Sequence, residues 1–166
     1  MMRWWLLPCV LFLFTVSTAR AESAVFVVRH AERADAGTPD AKMMGADPSL
    51  SSVGLSRAKS LAAVLKDARI TAVFTTEYKR SRQTAGPLAK NAGLEVTAIP
   101  SKNMQALIDA VRNAKGNVLV VGHSNTIPEL LKALGISEAV QIGENDYDDL
   151  LIVARGSAPT LIRLHH

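Results

Sequence analysis

Cysteine is almost absent from this sequence: the one cysteine, Cys9, stands among the first ten residues, where both tryptophans also lie. The rest of the chain can therefore form no disulfide and use no thiol chemistry, and it must fold on packing alone. With 48% hydrophobic residues over 166 positions, the chain has enough apolar material for the core of one domain.

Basic runs interleaved with aromatic residues are also missing, and aromatic residues make up only 5% of the chain. Removing the first 21 residues takes away Arg3 and Arg20, which lowers the formal net charge from +4 to +2. A nearly balanced charge and a scarcity of aromatic residues argue against nucleic acid as a partner.

The start of the chain predicts a signal peptide over residues 1–21. A basic residue precedes a short apolar run that Pro8 interrupts, and Ala19-Arg20-Ala21 has the A-x-A form of a cleavage site. The run is shorter than the roughly 20 residues that span a bilayer, so an uncleaved anchor is the less favoured alternative. We expect residues 22–166 to be a mature domain, exported to the periplasm or secreted, with no stable membrane association after cleavage.

Short apolar runs rich in β-branched residues alternate along the chain with segments of helical periodicity. Runs of this kind are typical of strands buried on both faces of a parallel sheet. They are Ala24–Val28, Ala72–Thr75, Val96–Ile99 and Val118–Val121, and two further strands, from Tyr147 and from Pro159, predict a hairpin at a sheet edge. The alternation indicates an α/β fold, a three-layer sandwich with a mostly parallel central sheet flanked by helices.

Four helices are predicted between and after these strands. Their signals are apolar positions at helical spacing and residues that begin or end helices. The first has Leu55, Ala58, Ala62 and Leu65 on one face; the second runs over Tyr78 to Asn91, with Pro87 expected to kink it or begin a new turn and Gly93 to end it; the third carries Met104, Leu107, Ile108 and Val111; the fourth runs from about Ile127 to Leu134. Residues 34–49 have no periodicity and predict a long loop.

Charged side chains follow three of the predicted strands at the point where each strand ends. Arg29 and His30 follow the first, Arg80 opens the helix after the second, and His123 follows the fourth. Ligands of open α/β sheets bind at the carboxyl ends of the strands, so we expect these side chains to share a pocket. Arginine forks and free backbone N–H groups suit a tetrahedral dianion, and phosphate is the natural ligand.

One histidine of such a pocket can act as a nucleophile. A neutral imidazole nitrogen attacks phosphorus and yields a phosphohistidine intermediate. Neighbouring positive charges disfavour the imidazolium form and so keep the lone pair available. Neither H-x-x-x-H nor H-x-H spacing occurs in the sequence, so we expect no metal at these histidines.

The order of these motifs resembles the histidine phosphatase superfamily, formerly grouped with the phosphoglycerate mutases. Four segments carry the resemblance: Arg29-His30 matches an R-H pair, Leu50–Gly54 resembles L-T-x-x-G, Thr76–Ala85 resembles S-x-x-x-R-x-x-x-T-A with Arg80 at the arginine, and Gly122-His123 matches a G-H pair.

The resemblance implies a phosphoglycerate mutase-like fold and a phosphatase that needs no cofactor. It makes His30 the nucleophile, and it makes Arg29, Arg80 and His123 the residues that bind the transferred phosphoryl group. The substrate would be a small phosphomonoester or a phosphohistidine protein. Arg82 falls at a variable position and is interpreted as a solvated residue.

The chain departs from the family pattern where many members place a carboxylate general acid. Ile99 to Asn103 follow the third strand, and none of these residues is an aspartate or a glutamate. An alkoxide leaving group needs a proton, whereas an activated phenol or the nitrogen of a phosphohistidine leaves more easily. Glu32 is the candidate proton donor, and an acid from residues 34–49 or 144–149 is an alternative.

Two other functions stay open at this point. A non-catalytic exported module that binds phosphorylated ligands would use the same residues without turnover. A mutase is less favoured, because the predicted export signal does not suit sugar phosphate metabolism.

Overall fold

The computed structural model describes residues 23–35 and 47–166 of the chain. The predicted signal peptide, residues 1–21, and most of the predicted loop at 34–49 lie outside the described residues. The elements of the described part are β1 (Ala24–Arg29), α1 (Ser52–Val64), β2 (Ile70–Thr76), α2 (Lys79–Ala92), β3 (Val96–Ile99), α3 (Met104–Asn113), β4 (Asn117–Gly122), α4 (Thr126–Ala133), β5 (Asp149–Ala154) and β6 (Thr160–His165).

The strands form one mixed sheet in the order β3-β2-β4-β1-β5-β6. The first four strands in the chain pair in parallel, whereas β5 runs antiparallel to both of its neighbours. The predicted α/β fold with a mostly parallel sheet is confirmed, and the predicted hairpin forms the β5–β6 edge.

Successive residues of the central strands supply the two faces of the sheet in turn. In β1, Val25 and Val27 pack in the core with α3 and α4. Phe26 and Val28 pack in a second core with α1 and α2. This alternation follows from the two-residue period of a strand, and it produces three layers, with helices on both faces of the sheet.

Helix α1 turns the predicted face to the core except at its first predicted position. Ala58, Ala62 and Leu65 are buried, but Leu55 is 46% exposed. Gly54 takes the inward position instead, because a β-carbon there would lie only 2.3 Å from the Glu32 carbonyl oxygen. The helix begins as the sequence indicates: Ser51 is the N-cap, and its hydroxyl accepts a hydrogen bond from the Gly54 N–H.

Helix α2 continues through Pro87 to Ala92. Gly93 ends the helix in the left-handed conformation, with φ of 66°, as predicted. Over the ranges 23–35 and 47–166, none of the helices combines the length and apolarity needed to cross a membrane.

Candidate active site

The carboxyl ends of β1 and β4 bring two histidines together. The strands are parallel neighbours, and Arg29 is in register with Gly122, so the residues that follow, His30 and His123, stand side by side. The His30 N–H donates to the Gly122 carbonyl oxygen at 3.0 Å. The two imidazole rings lie 5.2 Å apart between centroids, at 65° to each other.

Each histidine has an arginine and a tyrosine next to it. Arg29, His30 and Tyr147 make up what we call the first arm: the guanidinium of Arg29 lies 4.4 Å from the centre of the Tyr147 ring, which is 6.2 Å from the His30 ring. The Arg29 Nη1 group donates to the Gly143 carbonyl oxygen at 2.7 Å. The loop before β5 therefore packs on Arg29.

Arg80, His123 and Tyr78 make up the second arm. Arg80 lies in the first turn of α2, and its guanidinium stacks 4.2 Å from the centre of the Tyr78 ring. The Tyr78 ring meets the His123 ring edge-on, 5.3 Å between centroids. The Arg80 Nη2 group donates to Nε2 of His123 at 3.0 Å, since an arginine can only donate.

Both arginines keep an unused donor inside the protein. The Nε atoms of Arg29 and Arg80 are buried and have no hydrogen-bond partner within the described residues. A buried N–H group without a partner is costly, so such groups point to a ligand that accepts from them. Two guanidinium groups with free N–H groups suit the oxygens of a bound oxyanion.

His30 is held neutral with one ring nitrogen free. Its side chain is almost fully buried, and Nδ1 lies 2.8 Å from the Ala31 carbonyl oxygen, which can only accept. The proton therefore sits on Nδ1, and no group within residues 23–35 and 47–166 forms a hydrogen bond with Nε2. Burial lowers the pKa of His30 from 6.5 to about 3, with smaller contributions from the nearby His123, Arg80 and Arg29.

His123 is also neutral, but its Nε2 lone pair is engaged. Burial lowers the pKa of His123 from 6.5 to about 4, and the positive charge of Arg80 adds to the effect. Because Nε2 accepts from Arg80, the two imidazoles differ in reactivity although they lie side by side. His30 has the free lone pair and His123 does not.

The residues after His30 are fixed by α1 and α2. The Ala31 N–H donates to the Thr84 hydroxyl at 3.0 Å, and the Glu32 carbonyl oxygen accepts from the Ser51 N–H at 2.9 Å. Gly54 is the last residue of the L-S-S-V-G segment, and its missing side chain lets α1 approach the Glu32 backbone. The segment thus positions the chain around His30.

The backbone at His123 is fixed by the start of α4. The Thr126 hydroxyl accepts from the His123 N–H at 2.9 Å and donates to the His123 carbonyl oxygen at 3.2 Å. A β-carbon on Gly122 would lie 2.9 Å from that hydroxyl, so the G-H pair needs its glycine for close approach.

Glu32, the candidate proton donor, forms an ion pair with Arg57. Both carboxylate oxygens accept from the guanidinium, at 2.7 to 3.0 Å. Partial burial alone would raise the pKa of Glu32, but the hydrogen bonds from Arg57 outweigh it and the net pKa is lowered. The carboxyl group is therefore ionised and engaged on the α1 side, which does not favour proton donation.

The alternative acids differ in their surroundings. Asp47 accepts from the Lys79 N–H and lies 3.9 Å from Arg80. Asp149, one of the acids in residues 144–149, is buried and bound by Arg163 at 2.6 Å. Residues 36–46 lie outside the described residues.

Tyr78 and Tyr147 belong to the site but were not predicted from the sequence. Tyr78 directly precedes α2, and Tyr147 was assigned to a strand entrance. Tyr78 follows the carboxyl end of β2, and that position was the available signal. Tyr147 precedes β5, and it reaches the same edge of the sheet because β5 runs antiparallel to β1. Arg82 is exposed on α2, as interpreted.

One group of side chains in the described part of the chain has the geometry to hold a metal ion. Ligand atoms of Asp148, Asp149 and His165 lie within 4.8 Å of one another. Arg163 already binds both carboxylate oxygens of Asp149, so a cation would compete with a guanidinium. The group contains neither His30 nor His123.

The family model described as the histidine phosphatase superfamily (branch 1) matches residues 25–103. This range contains Arg29, His30 and Arg80 but ends before His123. No curated protein matches the sequence.

Solved structures with the same fold have several activities. A phosphoglycerate mutase from Bacillus anthracis is 17% identical, with a TM-score of 0.66 over 86% of this chain and 92% of that one. The protein histidine phosphatase SixA complexed with tungstate is 18% identical, with a TM-score of 0.66 over 86% and 96%. A phosphoserine phosphatase from Entamoeba histolytica is 16% identical, with a TM-score of 0.63 over 87% and 97%.

At these identities the solved structures establish only the phosphoglycerate mutase-like fold. The family model adds a similarity in sequence over residues 25–103. Together they confirm that the chain resembles, in motif and in fold, the histidine phosphatase superfamily.

Proposed function

We propose that this protein is a phosphatase that hydrolyses phosphomonoesters or phosphohistidine through a phosphohistidine intermediate on His30. The observation that carries the proposal is the asymmetry of the histidine pair. Within the part of the chain that the structure describes, His30 Nε2 has no hydrogen-bond partner, and neither do the buried Nε atoms of the two neighbouring arginines. A neutral imidazole among fixed positive charges is a competent nucleophile towards a phosphate dianion.

In the proposed reaction, Nε2 of His30 attacks phosphorus as the bond to the leaving group breaks. Arg29, Arg80 and His123 bind the oxygens of the transferred group and stabilise their charge in the transition state. Water then attacks the phosphohistidine, which releases phosphate and restores His30. No step requires a metal ion or a cofactor.

A tetrahedral oxyanion in a protein of the same fold supports this use of the site. The solved protein histidine phosphatase is complexed with tungstate, which has the shape and charge of a phosphate group. Two guanidinium groups side by side with two imidazoles would bind such an anion here.

The substrate class we propose follows from the state of Glu32. Because Arg57 engages this carboxylate, it is a poor proton donor to a leaving alkoxide. We expect aryl phosphates and phosphohistidine to react faster than alkyl phosphates. A panel of these three substrates tests the preference, and an alkyl phosphate that reacts fastest would exclude it.

The experiment that tests the function traps the intermediate. Turnover of p-nitrophenyl phosphate in EDTA, quenched in alkali, should leave a phospho-enzyme that is stable in alkali and labile in acid. We expect His30→Ala to abolish the label and the turnover, whereas His123→Ala should slow turnover but still form the label.

Two results would contradict the proposal. Label that persists in His30→Ala would move the nucleophile elsewhere. Binding of phosphate without hydrolysis of any substrate would favour the non-catalytic binding module.

We further propose export, with cleavage of residues 1–21, so that the mature domain of residues 22–166 acts in the periplasm or outside the cell on a small phosphorylated substrate or a phosphohistidine protein. The apolar run and the A-x-A pattern support this. The intact mass of the protein from a periplasmic fraction is the test; a mass that still includes residues 1–21 would exclude cleavage.

A further inference from the structure

The segment that follows β3 contains no acidic residue, but the carboxylate of Glu77 lies within hydrogen-bond distance of it. Glu77 directly follows β2, and its carboxylate accepts from the Ser101 N–H at 2.7 Å and from the Ser101 hydroxyl at 3.1 Å. Ser101 lies in the segment after β3 where the family pattern has its general acid. The neighbouring strand β2 therefore supplies the negative charge that Ile99 to Asn103 lack.

Glu77 differs from Glu32, Asp35 and Asp47 because no arginine or lysine lies within ion-pair distance of it among the described residues. Glu32 pairs with Arg57, Asp35 with Arg33, and Asp47 lies 3.9 Å from Arg80. Among the described residues, the hydrogen-bond partners of Glu77 are two donors of Ser101 and its own backbone N–H, all of them neutral. A carboxylate can accept about four hydrogen bonds, so roughly one position on this exposed group remains open.

Glu77 lies next to the second arm. Its chain neighbour Tyr78 has its ring against His123, and Arg80 follows in the first turn of α2. Partial burial alone would raise the pKa of Glu77, but hydrogen bonds from its own backbone and from Ser101, helped by the nearby His123, lower it. Glu77 is thus an anchored anion beside the positively charged groups of the second arm.

We propose that Glu77 and the ring of Tyr78 form a leaving-group subsite that accepts a planar ring bearing an N–H group, such as the imidazole of a phosphohistidine. The subsite rests on the proposed phosphatase function and specifies its substrate class. An ionised carboxylate accepts a hydrogen bond from an N–H and stabilises a positive charge on the ring. The same charge repels leaving groups that carry their own carboxylate.

The subsite explains how P–N cleavage proceeds without a general acid. The leaving imidazole carries phosphorus on one nitrogen and a proton on the other, and Glu77 stabilises this cationic form. As Nε2 of His30 forms its bond to phosphorus, the P–N bond breaks and its electron pair returns to the ring. The positive charge of the ring is cancelled, and imidazole leaves neutral with its N–H in place.

The test compares two substrates in the wild type and in Glu77→Gln, which keeps the shape of the side chain and removes its charge. We expect the ratio of kcat/KM for phosphoimidazole to kcat/KM for p-nitrophenyl phosphate to fall about tenfold, because one charge-assisted hydrogen bond to the leaving ring is lost. Hydrolysis of 3-phosphoglycerate should increase, because the repulsion of its carboxylate is removed.

Glu95→Gln is the matched control, because Glu95 is an exposed carboxylate just before β3, at the opposite end of that strand from Ser101. Its ratio should equal that of the wild type. A Glu77→Gln ratio within roughly twofold of the wild type would overturn the subsite, and so would an equal loss on both substrates.

A second variant keeps the subsite testable if Glu77→Gln does not fold. Ser101→Ala retains the charge of Glu77 but removes one of its two anchors, so the substrate ratio should fall by a smaller factor; an unchanged ratio counts against the subsite. Failure of the phosphatase function itself is a separate result, since the wild type would then form no phospho-enzyme on His30 with either substrate.

Discussion

The two arms of the site contain the same three residue types but use them differently. In the first arm, the Nδ1–H of His30 donates a hydrogen bond to the carbonyl oxygen of Ala31, and Arg29 Nη1 donates to the Gly143 carbonyl oxygen. In the second arm, Arg80 donates directly to Nε2 of His123. The composition of an arm therefore does not decide which histidine is free to react; the hydrogen bond made by each ring does.

The arms also differ in how the fold holds them. Thr84 of α2 and Ser51 before α1 fix the backbone after His30 from two helices. The backbone of His123 is fixed by Thr126, which begins α4 three residues further along the chain. A nucleophile must stay in line with the phosphorus atom that it attacks. Contacts from two separate elements restrict the movement of its backbone more than contacts from one local turn do.

The largest expected effect comes from removing the arginine of one arm. Arg80→Ala should lower kcat/KM about 10²–10³-fold, because a fixed charge on the transferring group is lost. Arg29→Ala should cost less, because Arg80 additionally orients His123 and Arg29 does not. Steady-state kinetics with p-nitrophenyl phosphate measure both.

Arg82→Ala is the control for this comparison, since Arg82 lies two residues further on α2 and is exposed. It should leave kcat/KM unchanged. Equal losses of kcat/KM in Arg80→Ala and Arg82→Ala would mean that the substrate responds to the overall positive charge of α2 and not to hydrogen bonds from the Arg80 guanidinium.

An intermediate effect should come from the anchor of the first arm. Gly54→Ala should lower the free energy of unfolding by about 2 kcal/mol, because its β-carbon would meet the Glu32 carbonyl oxygen. Gly86→Ala, in α2, has nothing within 4 Å of the added β-carbon and should stabilise the protein by about 0.4–1 kcal/mol. Urea unfolding of both variants gives the comparison, and a neutral Gly54→Ala would show that α1 is free to shift.

The effect that is smallest at neutral pH is on stability, and it grows as the solution becomes mildly acidic. His30 and His123 have lowered pKa values, about 3 and about 4, against 6.5 as the ordinary value. Below pH 6.5 the unfolded chain binds protons that the folded protein does not, so the free energy of unfolding falls as the pH drops from 6.5 towards 4. Stability from the lowered pKa of Glu32 is lost only below its ordinary value of 4.5.

The slope of the free energy of unfolding against pH reports the number of protons that the chain takes up on unfolding. His30→Gln should therefore lower that number by up to one between pH 6.5 and 4.5. Urea unfolding in phosphate-free buffer across this range measures the slope. An identical slope in the variant would mean that His30 is accessible to protons in the folded protein.

Much of the fold was predictable because strand burial leaves a direct mark on the sequence. A strand buried on both faces must be apolar throughout, as "AVFVV" and "VLVV" are, and this sets β1 and β4 and their parallel arrangement. Leu55 was predicted on the wrong face because the approach of Gly54 to Glu32 depends on residues distant in sequence. Helical spacing alone does not contain that contact.

The sequence by itself determined which strand ends carry charged side chains, since the change from an apolar run to Arg29-His30 or Gly122-His123 is local. Only the tertiary structure decided how the carboxylates are used. Glu32 follows His30 by two residues yet pairs with Arg57, and Glu77 supplies a charge beside Ser101, which lies on another loop. The reason is physical: a side chain binds the partner that the packing of α1 and the sheet brings within hydrogen-bond reach, and sequence separation does not measure that distance.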